Sequence, residues 1–340
     1  MTQLPRPFPE AYPPVPPQMP QPRPLREERW WLISILFLLT LLTTLYCGFQ
    51  FHVGFVAENA AEYELWFDSL LANPLLLRYG APFSFTLLLI LIAHEMGHYL
   101  ACRFYKIDAT PPFIIPAPPF LPLPPPLSTL LGFPGISLNP FGTFGAVIRI
   151  RSLFPGRRSL FDVGIAGPLA GFAFILPALV LGLLLSKEFV APPEVGLAFG
   201  EPALFQLAQT LFFSAPEGAA LALHPIGWAA WFGMLATSLN LLPIGQLDGG
   251  HVVYAIFGPR VHRQVSHVAF IALILISLLS WPAMAYIFFA LLIRFLGFKH
   301  PPTFNDYETV GKARIRIAIL GWIILALTFI PVPIEIIGLD

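Results

Sequence analysis

His94-Glu95-Met96-Gly97-His98 sets two imidazoles four residues apart, with a carboxylate next to the first, in the middle of the apolar stretch from Phe83 to Leu100. In a helix, residues four apart lie on one face a turn apart, so both rings can reach one ion while Glu95 stands beside them. Zinc suits two imidazoles plus a carboxylate, with its fourth position open for water. The bland alternative is a pair of histidines and a glutamate satisfied by neighbouring helices. Three titratable groups within hydrocarbon are too costly to be ornamental, which favours a site.

A third ligand is needed, and Asp248 in Asn240-Leu-Leu-Pro-Ile-Gly-Gln-Leu-Asp-Gly-Gly250 is the strongest candidate, being the sole acid between Glu217 and Asp306. Alone it reads equally well as an acid at a helix exit. Pro243 and Gly245 are expected to break the helix there, and Gly249 with Gly250 permits close backbone approach. If the two spans run in the same direction, Asp248 and the histidine pair meet at one depth. His251 is left out of the ligand set, since a fourth protein ligand would close the site to water. His52, His224, His262, His267 and His300 fall at loop or span ends and are read as solvated.

The elements that must position these groups follow from composition. The chain is 56% hydrophobic and 11% charged, with a mean hydropathy of +0.73, against roughly 45–50% and about 25% in soluble domains. The bilayer is the expected solvent, and zero net charge with no basic block argues against nucleic acid. Candidate spans are Trp30–Val53, Pro82–Tyr105, Leu160–Leu185, Ile226–Ile244, Val265–Ser280, Pro282–Gly297 and Ile315–Ile334. The expected fold class is therefore an all-α polytopic membrane protein of about six to eight transmembrane helices. Residues 1–29 are proline-rich and read as a disordered cytoplasmic tail, with residues 30–340 as the transmembrane domain and its core at 82–258. A cleaved signal is not expected, because a long proline tract precedes the first apolar run.

Two stretches depart from plain helices. Between Thr110 and Pro140 prolines remove too many donors for a helix, so this Pro-rich loop must be shielded by protein. Gly142–Arg151 alternates Val147, Arg149 and Arg151 with Ile148 and Ile150, the pattern of a short membrane-associated strand or hairpin. Cys47 and Cys102 read as packing residues. The stretch Gly164-Ile-Ala-Gly-Pro-Leu-Ala-Gly171 reads chiefly as small residues for close helix packing, and otherwise as a wall of the site.

In order, His94–His98, Gly164–Gly171, Asn240-Leu-Leu-Pro243 and Leu247-Asp248-Gly249-Gly250 resemble the motifs of the site-2 proteases, a family of intramembrane zinc metalloproteases. The resemblance covers Pro82 to Gly258. It implies that His94, His98 and Asp248 bind one Zn2+ per chain, that Glu95 is the catalytic carboxylate, and that Asn240 contacts substrate near the scissile carbonyl. It also implies that the strand around Gly142–Arg151 pairs with an unwound substrate, a transmembrane segment of a single-span membrane protein. The section from Lys187 to Pro225 is too short for a PDZ domain, and the tail after Ile334 for a CBS pair. The expected cycle is metal-assisted hydrolysis with Glu95 as base.

A divalent-metal or proton transporter would use the same side chains. Against it, the spans show no inverted repeat and only one ionisable cluster lies at membrane depth. A proteolytically dead scaffold would be expected to carry a damaged motif, and this one is intact. The expected location is a bacterial plasma membrane with the N-terminus and the active site toward the cytoplasm. Every Lys and Arg except Arg78 and Lys187 falls on that side. A reporter fused after Arg158 is expected to read as cytoplasmic and one fused near Glu201 as external; the opposite readout would invert the topology.

Overall fold

The structure is a computed structural model describing residues 29–118, 121–122, 135–136, 141–189, 196–213, 220–279 and 285–337. The expected tail, apart from Arg29, and most of the Pro-rich loop lie outside the described residues. The helices are α1 (Trp30–Val56), α2 (Ala60–Ala72), α3 (Ala81–Phe104), α4 (Arg157–Leu184), α5 (Ala203–Phe212), α6 (Pro225–Leu241), α7 (Asp248–Leu279), α8 (Ala285–Leu296) and α9 (Lys312–Thr328). A 3-10 turn, Pro74–Gly80, leads into α3. The strands are β1 (Phe113–Pro116), β2 (Leu121–Pro122), β3 (Gly135–Ile136), β4 (Thr143–Val147), β5 (Lys187–Phe189), β6 (Gly196–Phe199), β7 (Ala220–Ala222) and β8 (Ile334–Ile337).

Each expected span overlaps a helix, and the helices differ in length. Among the described residues four stretches are long and apolar enough to cross a membrane: Trp30–Val56, Pro74–Phe104, Arg157–Leu184 and Asp248–Leu278. Helices α6 and α9 have 17 residues each, at the short end of the roughly 17–25 that span hydrocarbon, and the described part of α8 has 12. The span expected at Val265–Ser280 begins much earlier, at Asp248. Arg260 and Arg263 are exposed side chains on a helix rather than part of a loop. What the sequence marks there is a kink, since Gly258 adopts φ 83° and ψ 178° just before Pro259.

Two helices occupy sections read as loops. At α2, Asn59 caps the first turn by accepting the Glu62 backbone N–H at 2.9 Å, and an Asn cap so placed stabilises a short helix that apolar patterning alone does not reveal. Short α5 carries two buried apolar residues, Phe205 and Ala208, against the bundle. The strand expected at Gly142–Arg151 is β4, which pairs antiparallel with β1 in the register Phe113↔Val147 and Ile114↔Ala146. An isolated bridge, Ala109↔Ile150, prolongs the pairing. Val147, Arg149 and Arg151 are exposed while Ile148 and Ile150 are half-buried, as the alternation requires. Strands β5 and β7, and β6 and β8, form two further antiparallel pairs.

Helix α4 is central, packed against α3, α6 and α7. Phe83, Leu87 and Ile90 of α3 meet Ile175, Leu179 and Leu183 of α4 and Trp231 and Met234 of α6 in one buried cluster, which also takes in Cys47. A second cluster joins Leu160, Phe161 and Ile165 of α4 to Val252, Tyr254 and Ala255 of α7, with Cys102. Both cysteines are free and buried, as expected of packing residues. Large apolar side chains such as Leu38, Phe85, Leu89, Leu184, Ile271 and Leu278 stay exposed, which suits a lipid-facing surface and not water. With little hydrophobic drive between helices in lipid, association relies on close packing at small residues. At the crossing of α4 and α6, a Cβ on Gly182 would run into the backbone of Gly227. Gly182→Ala is therefore expected to destabilise the bundle by about 1–3 kcal/mol, read as a lower unfolding midpoint in detergent.

Candidate active site

The candidate donor atoms come together from two helices distant in sequence. His94 and His98 sit on one face of α3, and Asp248 is the first residue of α7. Their side chains are largely buried, at 7%, 8% and 14% exposure. His94 Nε2 lies 3.1 Å from His98 Nε2 and 3.2 Å from Asp248 Oδ2, and His98 Nε2 lies 3.3 Å from the same carboxylate oxygen. Zinc binds such donors at roughly 2.0–2.1 Å, and a tetrahedral arrangement then sets them about 3.3–3.4 Å apart. The three atoms thus form a triangle of the size of one face of a zinc tetrahedron. The donor set fits the ion, and these three are a group that could hold a metal.

The rings are oriented by their surroundings. His98 Nδ1–H donates to the Val163 carbonyl at 2.7 Å, which leaves the Nε2 lone pair directed at the triangle; such an outer partner fixes both tautomer and ring angle. The glycines of α4 seat the histidines. A Cβ on Gly167 would overlap the His98 ring, one on Gly171 would meet His94 Cβ at 3.2 Å, and one on Gly164 would meet His251 Cβ at 2.7 Å. Gly97 is pressed onto the Ala166 carbonyl, so α3 and α4 touch at the level of the site. The Gly164–Gly171 stretch is close packing and site wall together, because the same absence of side chains serves both.

Glu95 is buried and lies against the backbone of Ile148, just beyond β4. It is absent from the ligand triangle. Asn240, at the end of α6, brings its Nδ2 to 3.5 Å from His94 Nε2, which puts a side-chain donor beside the triangle. Asp248 starts a helix rather than ending one: α6 stops at Leu241, the chain turns through Gly245 at φ 55°, and the carboxylate stands at the α7 N-terminus, where the helix dipole favours negative charge.

Several histidines are placed otherwise than expected. His262 is 2% exposed and donates from Nε2 to the Gly245 carbonyl at 2.9 Å. His300 is half-buried and bonds His251, Nε2 to Nδ1, at 2.6 Å; burial pushes its pKa down to about 4 and keeps it neutral. His224 caps α6, and His52 stacks on Tyr79 at 4.9 Å. His267 is exposed, as expected. Spacing could have suggested the glycine contacts, since residues 164, 167 and 171 share a helix face. Nothing in the side-chain pattern marks the Val163 carbonyl or the His251–His300 pair, which join segments far apart in the chain.

An HExxH helix meeting a distant aspartate inside an apolar bundle is the arrangement of a membrane metalloprotease. Residues 82–280, more than half of the chain, match peptidase family M50, the site-2 protease family, and the chain belongs to it. It is 28% identical over 323 residues to the probable zinc metalloprotease EGY1, chloroplastic, of Arabidopsis thaliana, covering 92% of this chain and 55% of that protein. The rice counterpart (Oryza sativa subsp. japonica) is 28% identical over 326 residues, covering 92% and 52%. The probable zinc metalloprotease EGY2, chloroplastic, of Oryza sativa subsp. indica is 29% identical over 264 residues, covering 75% and 42%. The chain thus spans about half the length of these curated relatives. Membership of a peptidase family, with relatives named as probable zinc metalloproteases, favours hydrolysis over the transporter alternative. The names of these relatives place them in chloroplasts and lend no support to a bacterial plasma membrane.

Gly167→Ala is expected to displace the His98 ring and weaken zinc binding by about 10-fold or more, measured by chelator competition on purified protein. Gly182→Ala, on the same helix but away from the triangle, is expected to leave zinc affinity unchanged.

Proposed function

We propose that this protein hydrolyses peptide bonds within or next to transmembrane segments of single-span membrane proteins. The observation that carries the reading is the 3.1–3.3 Å triangle of His94 Nε2, His98 Nε2 and Asp248 Oδ2, which suits one zinc per chain with a fourth position open. When bound there, zinc lowers the pKa of a coordinated water toward about 7 and polarises the scissile carbonyl.

The chain's own residues do the rest. Glu95, beside the histidines and outside the triangle, accepts the proton of the attacking water and later delivers it to the leaving amine. Asn240 donates from its amide to the carbonyl oxygen as negative charge develops on it. A helical substrate hides its carbonyl in a hydrogen bond and must unwind first. Strand β4 suits capture of the extended form: β1 occupies one edge, no further strand pairs with β4 among the described residues, and the chain just past it runs against Glu95. The distribution of Lys and Arg supports a site on the same side of the membrane as residue 30, the cytoplasmic side or its organellar equivalent.

Glu95→Gln is expected to keep zinc and fold while slowing cleavage of a single-span substrate by about 10²–10⁴-fold. Bound zinc and cleavage are measured on the same sample. Zinc retained together with near wild-type cleavage would remove Glu95 as the base and overturn the mechanism.

A further inference from the structure

The connector between α8 and α9, residues 297–311, lies against the end of the bundle that carries the triangle and reaches the Asp248 segment repeatedly. Gln246 donates from its amide to the Lys299 carbonyl at 3.3 Å. One turn into α7, His251 meets His300 at 2.6 Å. A turn further, the Tyr254 hydroxyl donates to Asp306 Oδ2 at 3.0 Å, and its ring lies 4.3 Å from that of His300. The direction of the histidine bond is fixed. His300 Nδ1 faces the Pro301 carbonyl at 2.6 Å, which can only accept, so Nδ1 carries the proton and Nε2 accepts from His251 Nδ1–H.

The connector is itself held to other elements. Asp306 Oδ1 accepts from the backbone and hydroxyl of Thr303, at 3.2 and 2.7 Å. The Phe304 N–H donates to the Phe154 carbonyl at 3.0 Å, and the Arg158 guanidinium donates from Nε to the Thr309 carbonyl at 2.9 Å. The Asp248 segment, in contrast, is set off from the rest of its own helix by a kink. It runs only from Asp248 to Phe257 before Gly258 leaves helical geometry, and Pro259 supplies no N–H to bridge the break. Contacts from other elements therefore share in setting its position.

We propose that the connector 297–311 is a clamp that sets Asp248 in the metal triangle, with His300 and Asp306 as positioning residues. The clamp rests on the reading of Asp248 as a ligand. It acts through the face of the first α7 turns, while the turn before Asp248 is pinned separately by His262 and by Ser266, whose Oγ accepts the Gly245 N–H at 3.2 Å.

The test uses the full chain purified in detergent, with zinc affinity by chelator competition and the visible spectrum of the cobalt-substituted protein as readouts. His300→Ala is expected to weaken zinc binding by about 10–100-fold and to alter the cobalt spectrum. His300→Gln, whose amide oxygen can accept from His251, is expected to restore both to within a few-fold of wild type. Wild-type affinity in His300→Ala, or no recovery in His300→Gln, would overturn the clamp. If His300→Ala does not fold, Tyr254→Phe decides: it removes one hydroxyl, and weakened binding supports the clamp while unchanged binding overturns it. Asp248→Ala is run beside them. Full zinc occupancy in that variant would sink the ligand assignment itself, and the clamp with it, whereas loss of zinc there with wild-type His300→Ala sinks the clamp alone.

Discussion

Three donor atoms must be held about 3 Å apart inside an apolar bundle, two of them on one helix and the third 150 residues further along. Without a cation at its centre such a cluster is unfavourable, since lone pairs and a carboxylate crowd together away from water. The arrangement around it is therefore organised to resist collapse. Helix α3 supplies two rings a turn apart, α4 supplies the surface they rest on, and the tight turn through Gly245 delivers the carboxylate at a helix start.

That requirement explains why α4 is central and why its small residues lie where they do. A helix that must seat His94, His98 and His251 on one face while also touching α3 through Gly97 can tolerate little side-chain volume there. Toward its other end, where α4 crosses α6 at Gly182 and Gly227, closeness serves packing alone. One helix thus combines a site-forming half with a structural half. The difference lies in what occupies the opposing surface.

Much of this was legible because it is local. His94 and His98 share a face by helical periodicity, Asp248 stands out as a lone acid in apolar sequence, and β4 declares itself by alternation from Val147 to Arg151. The parts that were not legible are those where backbone or distant partners decide. The Val163 carbonyl that orients His98 has no side-chain signature. His300 and His262 read as solvated because their burial depends on how the connector and the Gly245 turn fold back. The span expected from Val265 starts later than α7 because Arg260 and Arg263 interrupt the apolar run, whereas a helix can carry exposed charge through a kink. Helices α6 and α9 differ less: they end at Leu241 and Thr328, a few residues before the ends that apolarity alone suggests.

The break at Gly258 also bears on how the protein meets its lipid surroundings. Bilayers differ in thickness by several ångströms between membranes, and long helices accommodate the mismatch by tilting or kinking. The long lipid-facing part of α7 begins after Pro259, so tilt imposed there by the acyl chains can be absorbed at a residue that is already out of the hydrogen-bonded ladder. The turn before Asp248 is nevertheless tied to the far side of this joint through His262 and Ser266. A bend that keeps those two contacts can follow membrane thickness without carrying the carboxylate away from the two imidazoles.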